Sequence, residues 1–369
     1  MKALLLVSEL EDYTISFVNG VAQHIPVVLG VPRRRYARLA HWFSPAVDLR
    51  LLDWPRHRSP TNLQFLVSLT SLVKRERPNV IHLLSHMTLW LNLAVPFWRP
   101  VPLITTVHDV DVHPGDSDSR VLPRWATSLI VRQSHHVLVH GERLKTLALE
   151  RYGKAPDRVH VLAHPAILRY AELARRQRLA RRADDGFFTV LLFGRIFAYK
   201  GLEQLIRAEA TLVHRVPNLR IVIAGRGDDP WTFRHLMGDP DRYEIRNRFI
   251  EDKEVAQLFL DADLVVLPYA EASQSGVLNL AAAFGKPVVA TDVGELGSTV
   301  QAHGVGLVVK PHDPQCLGDG IALLAGRPDL VAEFGENART WAEGSNAPER
   351  VGELAATLYR AVIEDCARR

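Results

Sequence analysis

The sequence predicts an α/β protein built from two doubly wound, Rossmann-like domains. Three observations predict it. Short apolar, β-branched runs recur along the whole chain with helical patterns between them. The alternation begins afresh near residue 187, which gives two series rather than one. A length of 369 residues suits two domains of ordinary size. Strands that alternate with helices pair in parallel and are covered on both faces.

The elements follow in order. Strands are expected at 2–7, 26–30, 79–84, 102–107, 136–139 and 158–162 in the first half. Helices lie between them, among them Leu63 to Arg75 and Gly141 to Arg151. The opening Met1-Lys-Ala-Leu-Leu-Leu-Val has the look of a secretion signal, but its apolar run is short and Glu9, Glu11 and Asp12 follow at once, so it reads as a strand. Arg169 to Gly186 is rich in Arg and Ala, has no strand signal and marks a boundary. The expected division is a domain over 1–170, a linker over 171–186, a domain over 187–345 and a final segment over 346–369. Strands of the second half are expected at 188–193, 219–224, 244–250, 263–267, 287–290 and 306–309. The last helix, Glu349 to Arg368, spaces Val351, Leu354, Leu358 and Val362 at helical intervals.

Two motifs carry chemistry. The first is Phe193-Gly194-Arg195-Ile-Phe-Ala-Tyr-Lys200-Gly201, between a buried strand and a helix. It sets two cations and a helix N-terminus at the carboxyl end of a strand, a place to hold phosphate. Arg offers a planar fork and Lys a point charge, and a diphosphate can use both. The plain alternative is a loop with two solvated cations. The second motif runs from Asp263 to Thr291. A strand ends at Leu267, a polar loop carries Glu271, and Ser275-Gly276 opens a helix that stops at Gly285. The first-turn N–H groups of Gly276, Val277 and Leu278 are anion donors.

Together these motifs resemble the C-terminal half of the retaining family 4 glycosyltransferases, which have the GT-B architecture. The family pattern is Gly-Arg…Lys-Gly after the first strand of that half, then Glu, seven residues and a second Glu before Gly-x-Pro-Val-Val-Ala. Glu271 matches the first Glu, and Asn279 stands where the second is usual. Asn218 to Gly225 and Gly304 to Val309 extend the likeness, which is best over 188–342. A second departure is the loop after the first strand. It lacks the Gly-Gly of many members and holds Glu9, Glu11 and Asp12, a solvated loop or a set of acceptor contacts.

The resemblance implies a cleft between two domains, with the last helix crossing back onto the first. It implies a sugar-nucleotide, UDP- or GDP-linked, bound through Gly194, Arg195, Lys200, Gly225, Ile250, Glu271, Ser275, Gly276, Val277, Leu278 and Asn279. In that frame Arg195 and Lys200 hold the diphosphate, Glu271 orients sugar hydroxyls, and His108, at the end of Ile104-Thr-Thr-Val, meets the transferred sugar. The implied reaction is retaining transfer to a glycan or lipid-linked acceptor in polysaccharide or glycoconjugate biosynthesis. The architecture also hosts sugar-nucleotide epimerases and phosphorylases, and Asn279 leaves a non-catalytic binder open. No phosphorylase cofactor lysine can be placed.

No cofactor or metal is expected. His108, Asp109, Asp111 and His113 are tempting as ligands, but alternate strand-like positions set them poorly around one ion. Asp-x-Asp occurs at 109–111, 116–118 and 261–263, about as often as chance gives, and Arg195 and Lys200 already supply charge. The two cysteines, Cys316 and Cys366, have no metal spacing and suit a reducing, cytoplasmic setting.

Charge is divided. Residues 1–185 hold 26 Lys plus Arg against 16 Asp plus Glu, a net of +10, whereas the remainder holds 19 against 25, a net of −6. The first domain is therefore expected to meet something anionic, unless arginine simply abounds in this chain. The segment Arg33-Arg34-Arg35-Tyr36-Ala37-Arg38-Leu39-Ala40-His41-Trp42-Phe43 interleaves cations with aromatics. It reads as a peripheral membrane contact at the inner leaflet or as a solvated, partly buried loop, with no nucleic-acid role adopted.

Overall fold

The structure is a computed structural model that describes residues 1–56, 59–86, 89–110, 124–182 and 186–368. Asp111, His113 and the 116–118 triplet lie outside these residues. The chain divides into two compact units.

The first unit is a seven-stranded parallel sheet. In chain order its elements are β1 (Ala3–Leu6), α1 (Glu11–Val21), β2 (Val27–Pro32), α2 (Arg33–Tyr36), β3 (Val47–Leu52), α3 (Asn62–Glu76), β4 (Val80–Leu83), α4 (Leu91–Ala94), β5 (Leu103–Thr106), α5 (Arg124–Gln133), β6 (His136–Val139), α6 (Glu142–Tyr152) and β7 (Val159–Val161). The strand order β3-β2-β1-β4-β5-β6-β7 reverses between β1 and β4. Six of the seven strands were legible from their apolar runs. The seventh, β3, was not: Asp48 and Arg50 alternate with apolar residues, the pattern of a half-exposed edge strand rather than a buried one.

The second unit has α7 (Arg169–Arg176), β8 (Phe188–Phe193), α8 (Leu202–Ala210), β9 (Leu219–Gly225), β10 (Tyr243–Asn247), α9 (Asp252–Asp261), β11 (Leu264–Leu267), α10 (Gly276–Ala283), β12 (Val288–Thr291), α11 (Leu296–His303), β13 (Gly306–Val309), α12 (Pro314–Ala325) and α13 (Pro328–Glu343). Its six parallel strands run β10-β9-β8-β11-β12-β13, reversing between β8 and β11. The boundary falls at Pro165 and Ala166, ahead of the expected linker. Part of that linker is α7, a helix of the second unit: Tyr170 and Ala174 join its core, and Arg169 pairs with Asp252 at 2.7 Å.

The last helix, α14 (Pro348–Ala367), belongs to the first unit. Pro348 suits the first helical position, where its missing N–H costs nothing. The buried stripe is Val351, Ala355, Tyr359 and Val362, while Leu354 is exposed, so the inward face is rotated from the one the leucines suggest. The helix lies against α1 where Gly20 meets Pro348 and Gly352 meets Gly20. A Cβ on Gly20 would stand 1.8 Å from the Pro348 carbonyl oxygen. Inside, His82 bridges the Tyr359 hydroxyl at 2.6 Å and the Thr106 hydroxyl at 2.8 Å.

Acid should loosen this unit. Burial lowers His82 to about 3 and His86 to about 4, against an ordinary value near 6.5. Between those values the unfolded chain binds protons that the folded chain refuses. Stability is therefore full above pH 6.5 and is lost as pH falls through that window. Each histidine adds up to about 1.4 kcal/mol per pH unit to the slope. The melting temperature should fall from pH 6.5 to pH 5, above the range where Asp and Glu titrate, and His82→Gln should shrink that slope. A melting temperature flat over that span would contradict the assignment.

Candidate active site

In open α/β sheets ligands bind beyond the carboxyl ends of the strands, where the strand order reverses. The second sheet reverses between β8 and β11, and the two motifs are the loops that leave those strands. Residues 194–201 follow β8 and residues 268–275 follow β11, so both sit at one edge.

The two loops are clasped together. Ala270 N–H donates to the Tyr199 carbonyl at 2.8 Å. Gly201 takes a positive φ of 73°, and a Cβ there would stand 1.8 Å from the Pro268 carbonyl oxygen, so only glycine fits. The Lys200 ammonium lies 3.8 Å from the centroid of the Tyr269 ring, a cation–π contact. The Tyr269 hydroxyl is 3.2 Å from Ser275 Oγ. Ser275 caps α10, accepting from Leu278 N–H at 3.4 Å. Tyr269, which the sequence did not single out, thus links the lysine to the helix cap; it is buried, and its hydroxyl is pushed up to about 12 by desolvation.

The remaining expected residues separate into two groups. Arg195 is exposed on the same loop, 5.4 Å over the Phe197 ring, and Glu271 is exposed on the β11 loop. Gly276 and Val277 are partly exposed at the first turn of α10. Gly225 closes β9 with its α-carbon against the Gly194 carbonyl, so the two glycines fix the β8 and β9 ends side by side. Asn279 is 5% exposed and its amide donates to the Ser275 carbonyl at 3.1 Å. Ile250 is buried in the core, which leaves its backbone and not its side chain for a ligand.

His108 lies past the end of β5 in the first unit, buried, with Nε2 2.8 Å from the Leu84 carbonyl. A carbonyl only accepts, so Nε2 holds the proton and Nδ1 is the acceptor of the neutral ring. Burial lowers its pKa and keeps it neutral. It has company that sequence reasoning missed. The Tyr13 ring packs against His108, His140 and His164 at 4.7, 5.3 and 5.0 Å. His140 donates from Nδ1 to the Leu162 carbonyl, and its buried Nε2 has no hydrogen-bond partner among the described residues. The signal was available: His108, His140 and His164 each stand one to three residues past a strand end. Glu9, expected as a solvated acid, accepts from Ser85 at 2.9 Å across the β1–β4 reversal.

Among the other assignments, the Arg33–Phe43 segment changes most. It is helical, and Tyr36, Trp42 and Phe43 are buried in the first unit, so its aromatics cannot reach a membrane. Arg33 pairs with Asp53 and Arg35 with Glu11. Asp261 and Asp263 pair with Arg182 and Arg181 at the amino edge of the second sheet, away from both loops.

Comparison with known proteins agrees with this geometry. The family model for group 1 glycosyl transferases matches residues 175–341, and that for Glycosyltransferase Family 4 matches residues 11–166. The D-inositol 3-phosphate glycosyltransferase of Corynebacterium glutamicum is 30% identical over 76% of this chain and 72% of its own. The chain belongs to the family 4 glycosyltransferases. The glycosyltransferase is also 28% identical to the α-D-kanosaminyltransferase of Streptomyces kanamyceticus, over 71% of each chain. Its fold matches the Anabaena protein HepE, solved in complex with UDP, with a TM-score of 0.72 at 19% identity, over 98% of this chain and all of that one. The two Rossmann-like units are those of the GT-B class. The protein is thus an enzyme, a glycosyltransferase. Among the described residues no helix is long and apolar enough to cross a membrane.

Proposed function

We propose that the enzyme moves a sugar from a UDP- or GDP-linked donor to a hydroxyl of a glycan or lipid-linked acceptor, with retention and without a metal, in polysaccharide or glycoconjugate biosynthesis. The observation that carries this reading is the clasp around Tyr269, which holds Lys200 and the capped N-terminus of α10 at one edge of the sheet. As the sugar–oxygen bond to the diphosphate lengthens, charge grows on the leaving phosphate. Cations and N–H groups already fixed in place stabilise it without reorganising. Arg195 and Lys200 take the diphosphate, Glu271 the sugar hydroxyls and Asn279 a ribose hydroxyl. Neutral His108 offers the sugar an acceptor nitrogen. Retention and the nucleotide class rest on the family resemblance.

The test is nucleotide release from UDP- and GDP-sugars, with and without acceptors, in a panel that includes inositol 3-phosphate beside glycans and lipid-linked sugars. Acceptor-dependent release in excess EDTA should match that in Mg²⁺ to within a small factor. Loss in EDTA that Mg²⁺ or Mn²⁺ restores would refute the metal-free reading.

A lipid-linked acceptor places the first unit at an anionic membrane surface, and a different face from Arg33–Phe43 supports that. Leu63 and Val67 on α3, Leu93 and Phe97 on and after α4, and Trp125 and Leu129 on α5 are three exposed apolar pairs at i, i+4 spacing. Val67, Phe97 and Trp125 are each about two-thirds exposed, at 68, 70 and 65%. The three helices are neighbours, joined by the Trp98–Thr70 and Asn92–Ala126 hydrogen bonds. Exposed Lys74, Arg99 and Arg132 follow the pairs along the chain, and residues 62–108 and 124–141 contain one acid, Glu76, itself paired. Apolar side chains entering the headgroup layer beside cations bind anionic lipid. Wild-type enzyme should sediment with anionic vesicles at low salt, and Leu93→Ser/Phe97→Ser should stay in the supernatant. Wild-type protein left wholly in the supernatant would remove the docking idea.

A further inference from the structure

We propose that His136, Asp365 and Cys366 form a site for a borderline-soft divalent cation of the zinc class, at the amino edge of the first sheet. The three residues offer a ring nitrogen, a carboxylate oxygen and a thiol, all within 4.8 Å of one another. His136 Nε2 and Asp365 Oδ2 are 3.3 Å apart. That is close to the edge of a tetrahedron whose nitrogen and oxygen each lie about 2.0–2.1 Å from zinc, about 3.4 Å.

The histidine is already oriented for this task. Its Nδ1 is held by His160 Nε2 at 2.9 Å, with the two rings stacked at 5.1 Å. A metal-ligating histidine commonly has its second nitrogen fixed in this way, which sets the tautomer and aims the first. The aimed Nε2 is buried and has no hydrogen-bond partner among the described residues, with the Asp365 carboxylate oxygen 3.3 Å away. A thiolate and a carboxylate together balance a dication. Arg158 lies 3.9 Å from the Asp365 carboxylate, a loose contact that an ion could displace.

The ligands come from the first residue of β6 and the last turn of α14. The ion would pin the end of the last helix to the sheet, roughly 10 Å from the carboxyl end of β6 by strand rise. Its role is therefore structural. On binding, the Cys366 thiol gives its proton to solvent and its sulfur electron pair to the metal, so affinity rises with pH.

Cobalt(II) titration of the full-length enzyme tests this. Wild-type protein should take up one equivalent, with a thiolate-to-cobalt charge-transfer band and tetrahedral visible bands that one equivalent of zinc abolishes. Cys366→Ser should lose the charge-transfer band and Cys316→Ser should keep it. His160→Gln should weaken binding about 10–100-fold while leaving the band in place at saturation. Circular dichroism of each apo-variant confirms that it is folded. No charge-transfer band in the wild type, or a band that survives Cys366→Ser, overturns the proposal, and neither result bears on the glycosyl-transfer reading.

Discussion

Arg195→Ala and Lys200→Ala should each lower turnover about 10²-fold or more, the scale set by removing one preorganised charge stabiliser. Both side chains sit on the loop between β8 and α8, outside the core, so the fold should survive. The two need not respond alike. Lys200 is held over the Tyr269 ring at 3.8 Å, whereas Arg195 is exposed and stands 5.4 Å over Phe197. Lys200→Arg should recover only part of the rate: a guanidinium can stack on the Tyr269 ring, but its planar fork presents the charge differently from an ammonium. Steady-state rates with a proven acceptor decide the matter. Near-normal turnover in both alanine variants would mean that the diphosphate binds elsewhere.

Gly201→Ala should be nearly as damaging, although it removes no charge. The new Cβ would lie 1.8 Å from the Pro268 carbonyl oxygen, a backbone atom that cannot swing aside, and the positive φ of 73° strains any L-residue. The β8 loop would have to part from the β11 loop, taking Lys200 away from Tyr269. Turnover should drop by at least about 10²-fold by the same loss of charge stabilisation. The melting temperature should also fall, since a backbone clash of this kind is among the few mechanisms with large cost. A variant with normal melting and normal turnover would show that the clasp yields without consequence.

Much of this site was legible because its parts are local. Gly194 to Gly201 and Ser275 to Asn279 announce a loop, a cap and a helix N-terminus within a few residues each, and the strands before them are continuous apolar runs. Three things were not legible. Edge strand β3 hides its apolar face in an alternating pattern. Tyr36, Trp42 and Phe43 look like surface aromatics among arginines, and only packing shows that their rings turn inward. The closeness of His136 and Cys366 joins residues far apart in sequence, where spacing says nothing about proximity. Tyr269 is the same case on a small scale: its neighbour Lys200 is 69 residues earlier, so its role as a clasp appears only once β8 and β11 are side by side.

The return of α14 to the first unit bears on how the chain is made. During synthesis the described residues of the second unit leave the ribosome as one stretch, Ala166 to Gly344, and can complete their core once that stretch emerges. The first unit emerges earlier but must wait. Until α14 emerges, His82 lacks Tyr359 and α1 lacks the helix that Gly20 is shaped to receive. A nascent chain therefore carries α1 without its packing partner until α14 emerges, a natural client for a holding chaperone. A stop codon before Pro348 would spare the second unit and unfold the unit made first.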